Sequence, residues 1–343
     1  MQKVLFLAVV MYDGYGVPVV LQQLIPEFQK RDVECAVICC HGDMAGLNCP
    51  VYQIGNDLQK TREIADRIKP DIICALTSPF FEILPDLSKN YKCWAWEYGD
   101  PTPELFSTDA EERSAIIKNK QENVYPFLSG NVLGCSYFIK HDINFIAAKT
   151  VHFGSDHATD FGVKKIDLTS KAPIKIGTLM RIGQGEAYYK GNQDFLDFVR
   201  YARKNGILIE PHVAGRGSLE DAANFNQMGI ETHLNLSDVD KYKYLRSLDI
   251  FVSFSLWEGF NLPVVEAQAV GTFSLCLDIG AHPEVSPFLL NSPWDVLRYV
   301  KRAQTDKAWL QQVSKQCYFF AREKFQWKQT AEKILQLLFA HEN

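Results

Sequence analysis

The chain has 343 residues, of which 47% are hydrophobic, 12% aromatic and 22% charged, with a net charge of -5. At roughly 150 residues per domain the length suggests two domains, and the composition excludes disorder, collagen and coiled coil. A net negative charge gives no general field to attract nucleic acid, although it leaves room for a local basic patch.

The longest early apolar run, Val4 to Met11, is far short of the about 18 residues needed to span a bilayer. It also follows the N-terminus too closely to have the basic segment of a signal peptide, so a soluble, unprocessed chain is expected. Nine cysteines are an odd number, and most sit in apolar, strand-like runs such as Ala36-Val-Ile-Cys-Cys40. That pattern suits reduced core thiols in a cytoplasmic protein. Cys35, Cys39, Cys40 and His41 form the tightest cluster, but neighbouring strand residues face opposite ways, so Cys39 and Cys40 cannot share one ion.

Along the chain, short β-branched runs alternate with longer amphipathic stretches, the pattern of parallel βα units. Val4 to Val10 reads as a central strand buried on both faces. The turn Tyr12-Asp-Gly-Tyr-Gly16 follows, and then a helix with Pro18 in its first turn, which Pro26 is expected to kink or end. Further strands are expected at Val33 to Cys40, Asp71 to Ala75, Tyr91 to Trp96 and Asn131 to Cys135, with helices at about 57–69, 105–126 and 137–146. His152 to Lys171 collects turn formers, which places a domain connection there. A second series has strands at Ile174 to Leu179, Leu208 to Ala214, Thr232 to Leu236, Ile250 to Phe254 and Thr272 to Leu277. Helices intervene at about 191–205, 219–228, 239–247 and 262–270, and Trp294 to His341 is helical by pattern. The fold class is therefore α/β with two doubly wound Rossmann-like domains, and ligands of such folds bind at the carboxyl ends of the strands.

The sharpest segment is Ser253-Phe-Ser-Leu-Trp-Glu-Gly-Phe-Asn-Leu-Pro-Val-Val-Glu266. Glu258 lies in a glycine-bearing loop after a strand, Pro263 in the first turn of the next helix and Glu266 one turn further in. The backbone N–H groups of Gly259, Phe260, Asn261 and Leu262 form a ready site for phosphate oxygens. Carboxylates beside such a site are acceptable if they accept hydrogen bonds from hydroxyls, which sugars and riboses supply. The alternative is a capped helix with Glu266 on a solvated face, against which Trp257, Phe260 and Pro263 argue.

This segment resembles the E-x7-E motif of retaining glycosyltransferases with the two-Rossmann-domain (GT-B) fold, and the C-terminal half resembles glycosyltransferase family four (group 1). Ser237 to Ser253 and Gly280-Ala-His-Pro-Glu-Val285 share the likeness, as do, more weakly, the Gly14/Gly16 loop, Cys135 to Lys140 and Gly154-Ser-Asp156. The resemblance implies two Rossmann-like domains facing a cleft: an acceptor-side domain over residues 1–160 and a nucleotide-sugar-binding domain over 172–325. A C-terminal helix, 326–343, would cross back to the first domain. It makes Glu266 the partner of the donor's ribose hydroxyls and Glu258 the contact to the transferred sugar. Phe260, Asn261 and Leu262 would offer backbone N–H groups to the diphosphate and sugar.

A basic pair is also implied after the first strand of the second domain, to stabilise the leaving nucleoside diphosphate. Arg181 and Lys190 are the candidates, at a wider spacing than typical relatives; solvated loop cations are the alternative. Gly14 and Gly16 would let the main chain approach the donor or acceptor, although a tight turn alone also explains them. The G-x-G-x-x-G fingerprint is not met, because Val19 follows Gly16 by three, so a dehydrogenase is disfavoured. Relatives often place a histidine where this chain has Glu97, in Trp94-Ala-Trp-Glu-Tyr98. Glu97 is open to three readings: support of charge on the sugar, binding of an acceptor hydroxyl, or a structural role. The aromatic residues beside it suit either stacking on a sugar or a buried strand.

Asp238-Val-Asp240 mimics a metal-binding triplet of other glycosyltransferases but precedes a helix, where aspartate caps and complements the dipole. No metal or other cofactor is expected, the histidines show no H-x3-H pair, and His157 and His282 read as hydrogen-bonded structural residues. The resemblance implies transfer of a hexosyl group from a nucleotide diphosphate sugar to a hydroxyl, with retention, as in polysaccharide biosynthesis. The acceptor would be a glycan, a lipid-linked sugar or a small molecule. A cytoplasmic location is expected, with membrane association at most peripheral at the inner face. The rival readings are a nucleotide-sugar epimerase of the same double fold and an inactive sugar-nucleotide-binding protein.

Overall fold

The computed structural model describes residues 1–12, 15–42, 47–100, 105, 110–158, 160–183 and 187–340. Its chain divides into two units: one takes in Met1–Asp100, Glu111–Gly154 and the C-terminal segment from Gln326, and the other is built on Ser155–Phe325.

In the first unit the apolar run near the N-terminus forms the middle of β1 (Gln2–Val10), where Val4 to Ala8 are buried. A parallel strand with helices on both faces has no solvent side, hence no alternation. Then follow α1 (Gly16–Gln29), β2 (Val33–His41), β3 (Val51–Gln53), α2 (Lys60–Ile68), β4 (Ile72–Ala75), α3 (Phe80–Leu87), β5 (Lys92–Glu97), α4 (Ala110–Asn119), β6 (Val132–Gly134), α5 (Tyr137–Asp142) and β7 (Lys149–Thr150). All strand pairs are parallel, in the order β3-β2-β1-β4-β5-β6-β7.

The second unit has β8 (Ile174–Leu179), α6 (Asn192–Lys204), β9 (Ile209–Gly215), α7 (Ala223–Gln227), β10 (Glu231–Leu234), α8 (Asp238–Ser247), β11 (Ile250–Ser253), α9 (Leu262–Ala269), β12 (Phe273–Leu277), α10 (His282–Val285), β13 (Leu289–Leu290), α11 (Val296–Thr305) and α12 (Lys307–Lys324). Its sheet is also parallel, ordered β10-β9-β8-β11-β12-β13. A core of buried Ile, Val, Leu and Phe packs against it, including Phe195, Phe198, Phe254 and Phe273. The final helix, α13 (Trp327–Leu338), belongs to the first unit, where Glu332 pairs at 2.8 Å with Arg31, two residues past the end of α1.

Several elements differ from the sequence expectation. Helix α1 runs through Pro26 to Gln29, so the proline neither ends it nor marks its boundary. The helix expected to reach residue 126 stops at Asn119 and continues as a π-helical turn, Lys120–Val124, and a 3-10 turn, Tyr125–Leu128. Helix α3 and the short strands β3, β7 and β13 were not expected. No helix among the described residues is long and apolar enough to cross a membrane.

All nine cysteines are free, and only Cys49 is not fully buried. Trp94 and Trp96 are core residues, and Trp96 packs on Tyr98 and Phe153 with ring centroids 5.6 Å apart in both pairs. Phe153 in turn stacks on Trp327. The aromatic density around Glu97 thus comes from alternate strand residues and what they pack against.

Where the chain returns to the first unit, Gly154 meets the start of α13: a Cβ there would lie 2.5 Å from both the backbone nitrogen and Cγ of Trp327. Backbone cannot yield cheaply, so Gly154→Ala should destabilise the first unit by about 1–3 kcal/mol, read as a lower thermal midpoint. Gly16→Ala, whose Cβ would meet nothing within 4 Å, should leave that midpoint unchanged.

Candidate functional site

In a doubly wound sheet the crevice opens where the strand order reverses. In the second unit that point lies between β8 and β11, so the segments that follow these two strands must supply the site. They are bound to each other by backbone. Leu256 N–H donates to the Tyr189 carbonyl at 2.7 Å. Gly191 (φ 75°) sits so close to Phe254 that a Cβ would fall 2.3 Å from its carbonyl oxygen. On the other side, Ala281 N–H donates to the Glu258 carbonyl at 3.0 Å. Gly280, at φ 53°, leaves room for that carbonyl, which a Cβ would approach to 2.6 Å.

The entry to α9 is held by a chain of side chains. Asn261, in the left-handed region at φ 68°, is its N-cap, with Oδ1 accepting from Val264 N–H at 3.4 Å. Asparagine is among the few residues with a side chain that enter this region readily. Its Nδ2 donates to Ser253 Oγ at 3.0 Å and to His282 Nε2 at 2.8 Å. The second bond assigns the histidine tautomer: Nδ1 lies 2.7 Å from the Leu277 carbonyl, which only accepts, so Nδ1 carries the hydrogen and Nε2 is the acceptor. Burial pushes the His282 pKa down, keeping the ring neutral in this role. Leu262 N–H, first in the helix, has no intrahelical acceptor, and Pro263 brings no N–H at all.

Two carboxylates flank this helix start. Glu258 Oε1 accepts from Lys190 Nζ at 2.9 Å, an ion pair bridging the segments after β11 and β8. Lys190 also lies over the Tyr189 ring, 4.9 Å from its centroid. Glu266, only 2% exposed, receives Lys241 Nζ at 3.0 Å and His157 Nε2 at 2.9 Å, both on Oε1. Burial alone would raise the Glu266 pKa, but Lys241 and His157 outweigh it and lower the group from 4.5 to about 2. The carboxylate is therefore ionised and an acceptor only, and among the described residues Oε2 keeps its lone pairs.

The remaining sequence-predicted positions fall as follows. Arg181 is half-buried, two residues after β8. Gly16 is the first residue of α1 in the first unit; Gly14 lies outside the described residues. Neither crowding nor a positive φ requires glycine at 16. Glu97 ends β5, where its Oε1 accepts from Lys120 Nζ at 2.9 Å and Tyr125 O–H at 2.5 Å. Asp100 shares Lys120. Burial opposes the charge on Lys120, but Glu97 and Asp100 raise its pKa.

Asp238 and Asp240 occupy the first turn of α8, capped by Ser237, whose Oγ accepts from Asp240 N–H at 3.2 Å. Of the two groups on Glu266, sequence reasoning missed Lys241. Its only signal was its place on the helix that carries the aspartate triplet, where a lysine passes for a solvated residue.

Residues 176–299 match the family model for Glycosyl transferases group 1, a match that runs from within β8 to within α11 and includes every carboxylate and cation of the second unit named above except His157. No curated protein matches the chain in sequence. Among solved structures, sucrose-phosphate synthase from Thermosynechococcus elongatus is similar over 98% of both chains, at TM-score 0.77 and 12% identity. HepE of Anabaena in complex with UDP-glucose is similar over 99% of this chain and 100% of its own, at TM-score 0.76 and 14% identity. TarM of S. aureus, in complex with fondaparinux, α-GlcNAc-glycerol and UDP, is similar over 99% and 100%, at TM-score 0.70 and 11% identity. The fold is thus the GT-B fold, and the stretch of its second unit over residues 176–299 is similar to the group 1 glycosyltransferase model.

A carboxylate held lower in the folded chain than in the unfolded one adds stability above its unfolded value, and that stability is lost as pH falls through the folded value. For Glu266 the window runs from about 4.5 down to about 2. Glu266→Gln leaves Lys241 with only the half-exposed Asp238, at 3.1 Å, as counter-charge and should cost about 1–3 kcal/mol at neutral pH. The difference between variant and wild type, read from urea unfolding, should shrink as pH falls through that window.

Proposed function

We propose that the chain is a retaining glycosyltransferase that moves a hexosyl group from a nucleotide diphosphate sugar to a hydroxyl of a glycan, a lipid-linked sugar or a small acceptor. The observation that carries this reading is the Lys190–Glu258 ion pair at the reversal point of the second sheet, beside the start of α9. One end of the pair suits a phosphate and the other suits hydroxyls. A bound donor supplies both, so the ion pair exchanges partners without leaving either charge unpaired. The UDP-glucose and UDP held by HepE and TarM make uridine nucleotides the first donors to try, and the α-GlcNAc-glycerol in TarM makes a hydroxylated glycerol a reasonable acceptor.

In this proposal Glu266 accepts from the ribose hydroxyls through Oε2, its other oxygen being held by Lys241 and His157. Gly259, Phe260, Asn261 and Leu262 present main-chain N–H groups to the diphosphate and sugar. The bond from the anomeric carbon to the diphosphate oxygen breaks, and the acceptor oxygen bonds on the same face. The acceptor proton passes to the departing phosphate oxygen. Charge that grows on the diphosphate is met by Lys190, Arg181 and the start of α9, so the step needs no metal. Gly16 contributes a main-chain approach free of a side chain. Glu97 enters as the anchor of the Lys120 and Tyr125 network, a positioning role.

Nucleotide sugars supplied with and without acceptor, followed by product analysis, test the reading. Nucleoside diphosphate and glycoside should appear together. Lys190→Ala or Arg181→Ala should lower kcat about 10²–10³-fold, the usual loss when one charge-stabilising donor is removed, and Glu258→Ala should also lower it. Donor turnover without acceptor would point instead to an epimerase, and binding without turnover to an inactive sensor. Unchanged rates in Glu258→Ala and Arg181→Ala would overturn the site.

A further inference from the structure

At the far edge of the second sheet, separated from β11 by β8, three side chains converge outside the site described above. The sequence repeats the triplet Glu-x-His on two neighbouring strands, Glu210-Pro-His212 on β9 and Glu231-Thr-His233 on β10. The register pairs Glu231 with His212, and because side chains alternate along a strand, Glu231 and His233 share one face.

His212 Nδ1 lies 3.4 Å from His233 Nε2 and 3.5 Å from Glu231 Oε2, and His233 Nε2 lies 3.3 Å from Glu231 Oε1. Each histidine nitrogen meets a different oxygen of Glu231, so the carboxylate straddles the pair, and each separation is close to that between two ligand atoms of one tetrahedral ion. Zinc bound at about 2.0–2.1 Å to nitrogen and oxygen sets its ligand atoms about 3.3–3.4 Å apart.

A second observation supports the same reading. The other nitrogen of His212, Nε2, lies 3.1 Å from Glu210 Oε1, and Glu210 is itself paired with Lys175 at 3.0 Å. A carboxylate only accepts, so Nε2 carries the hydrogen and Nδ1 presents its lone pair to the cluster. A metal-binding histidine is commonly oriented by a carboxylate in this way. His212 is buried, whereas Glu231 and His233 are partly open, with side chains 58% and 27% exposed, which gives an ion a way in. The two imidazoles lie nearly parallel, 14° apart, and His233 packs on Tyr244 of α8, so little rearrangement is needed.

We infer that His212, Glu231 and His233 form a binding site for a divalent transition metal, Zn²⁺ by its ligand set, which clasps the edge strand β10 to β9. Three protein ligands leave a fourth position to water. The site is independent of the transfer reaction proposed above, and its test does not use that reaction.

The test is to dialyse the full chain against EDTA, remove the chelator and titrate with Co²⁺ and then Zn²⁺, following visible absorbance, calorimetry and the thermal midpoint. One Co²⁺ per chain should bind, without a thiolate charge-transfer band, and be displaced by Zn²⁺, which raises the midpoint. Glu210→Ala should weaken binding about 10–100-fold, and His233→Ala and Glu231→Ala should weaken it further and abolish the rise in midpoint. Both ligand variants alter partly exposed side chains, so the fold survives to be tested. Absence of saturable binding, a thiolate band, or affinity unchanged in His233→Ala would overturn the inference.

Discussion

The second unit is organised around paired charge at the point where its sheet reverses. A carboxylate taken out of water is tolerated only if a cation or strong donors meet it, and both acids of the motif satisfy that condition differently. Glu258 is answered by one lysine from the neighbouring strand's connection. Glu266, deeper, is answered by two groups that come from distant parts of the chain, His157 and Lys241. The first arrangement can open and the second is built to stay, which suits the different parts they are given in the proposed transfer.

The surrounding backbone exists to keep that pairing in place. Gly191 and Gly280 are the two positions where close approach and positive φ coincide next to the Glu258 loop, and the loop is clamped between them. Asn261 then turns the chain into α9 through a left-handed conformation stabilised by Ser253 and His282. Neutral His282 is what makes this work: a protonated ring would have no lone pair for the Asn261 amide. Rigid positioning of N–H groups ahead of the reaction is a main source of electrostatic catalysis, and in the proposed transfer that rigidity would rest on Ser253 and His282 behind Asn261.

Much of this was legible in the sequence, and the rest was hidden for definite reasons. The strand Ile174 to Leu179 was read to the residue because its β-branched residues Ile174, Ile176 and Thr178 recur at every second position on one buried face. Strands β7 and β13, of two residues each, carry no periodicity to detect. Helix α3 was masked by Pro85 within it, just as Pro26 wrongly suggested a break in α1. Within the site, Glu258, Asn261 and Glu266 were singled out by residue type and spacing, and Lys190 by the family resemblance. Lys241 was not, because its partner lies 25 residues away and pairing at that range leaves no local pattern. The histidine pair at 212 and 233 escaped a search for helical spacing because its geometry comes from strand register.

The account's central claim is that the Lys190–Glu258 pair is a placeholder for a sugar nucleotide. A crystal structure of the chain with an intact nucleotide diphosphate sugar bound tests it most directly. Lys190 Nζ should be found on a diphosphate oxygen and Glu258 on hydroxyls of the sugar, with their mutual contact broken. A donor seated elsewhere, or bound while that ion pair stays closed, would contradict it.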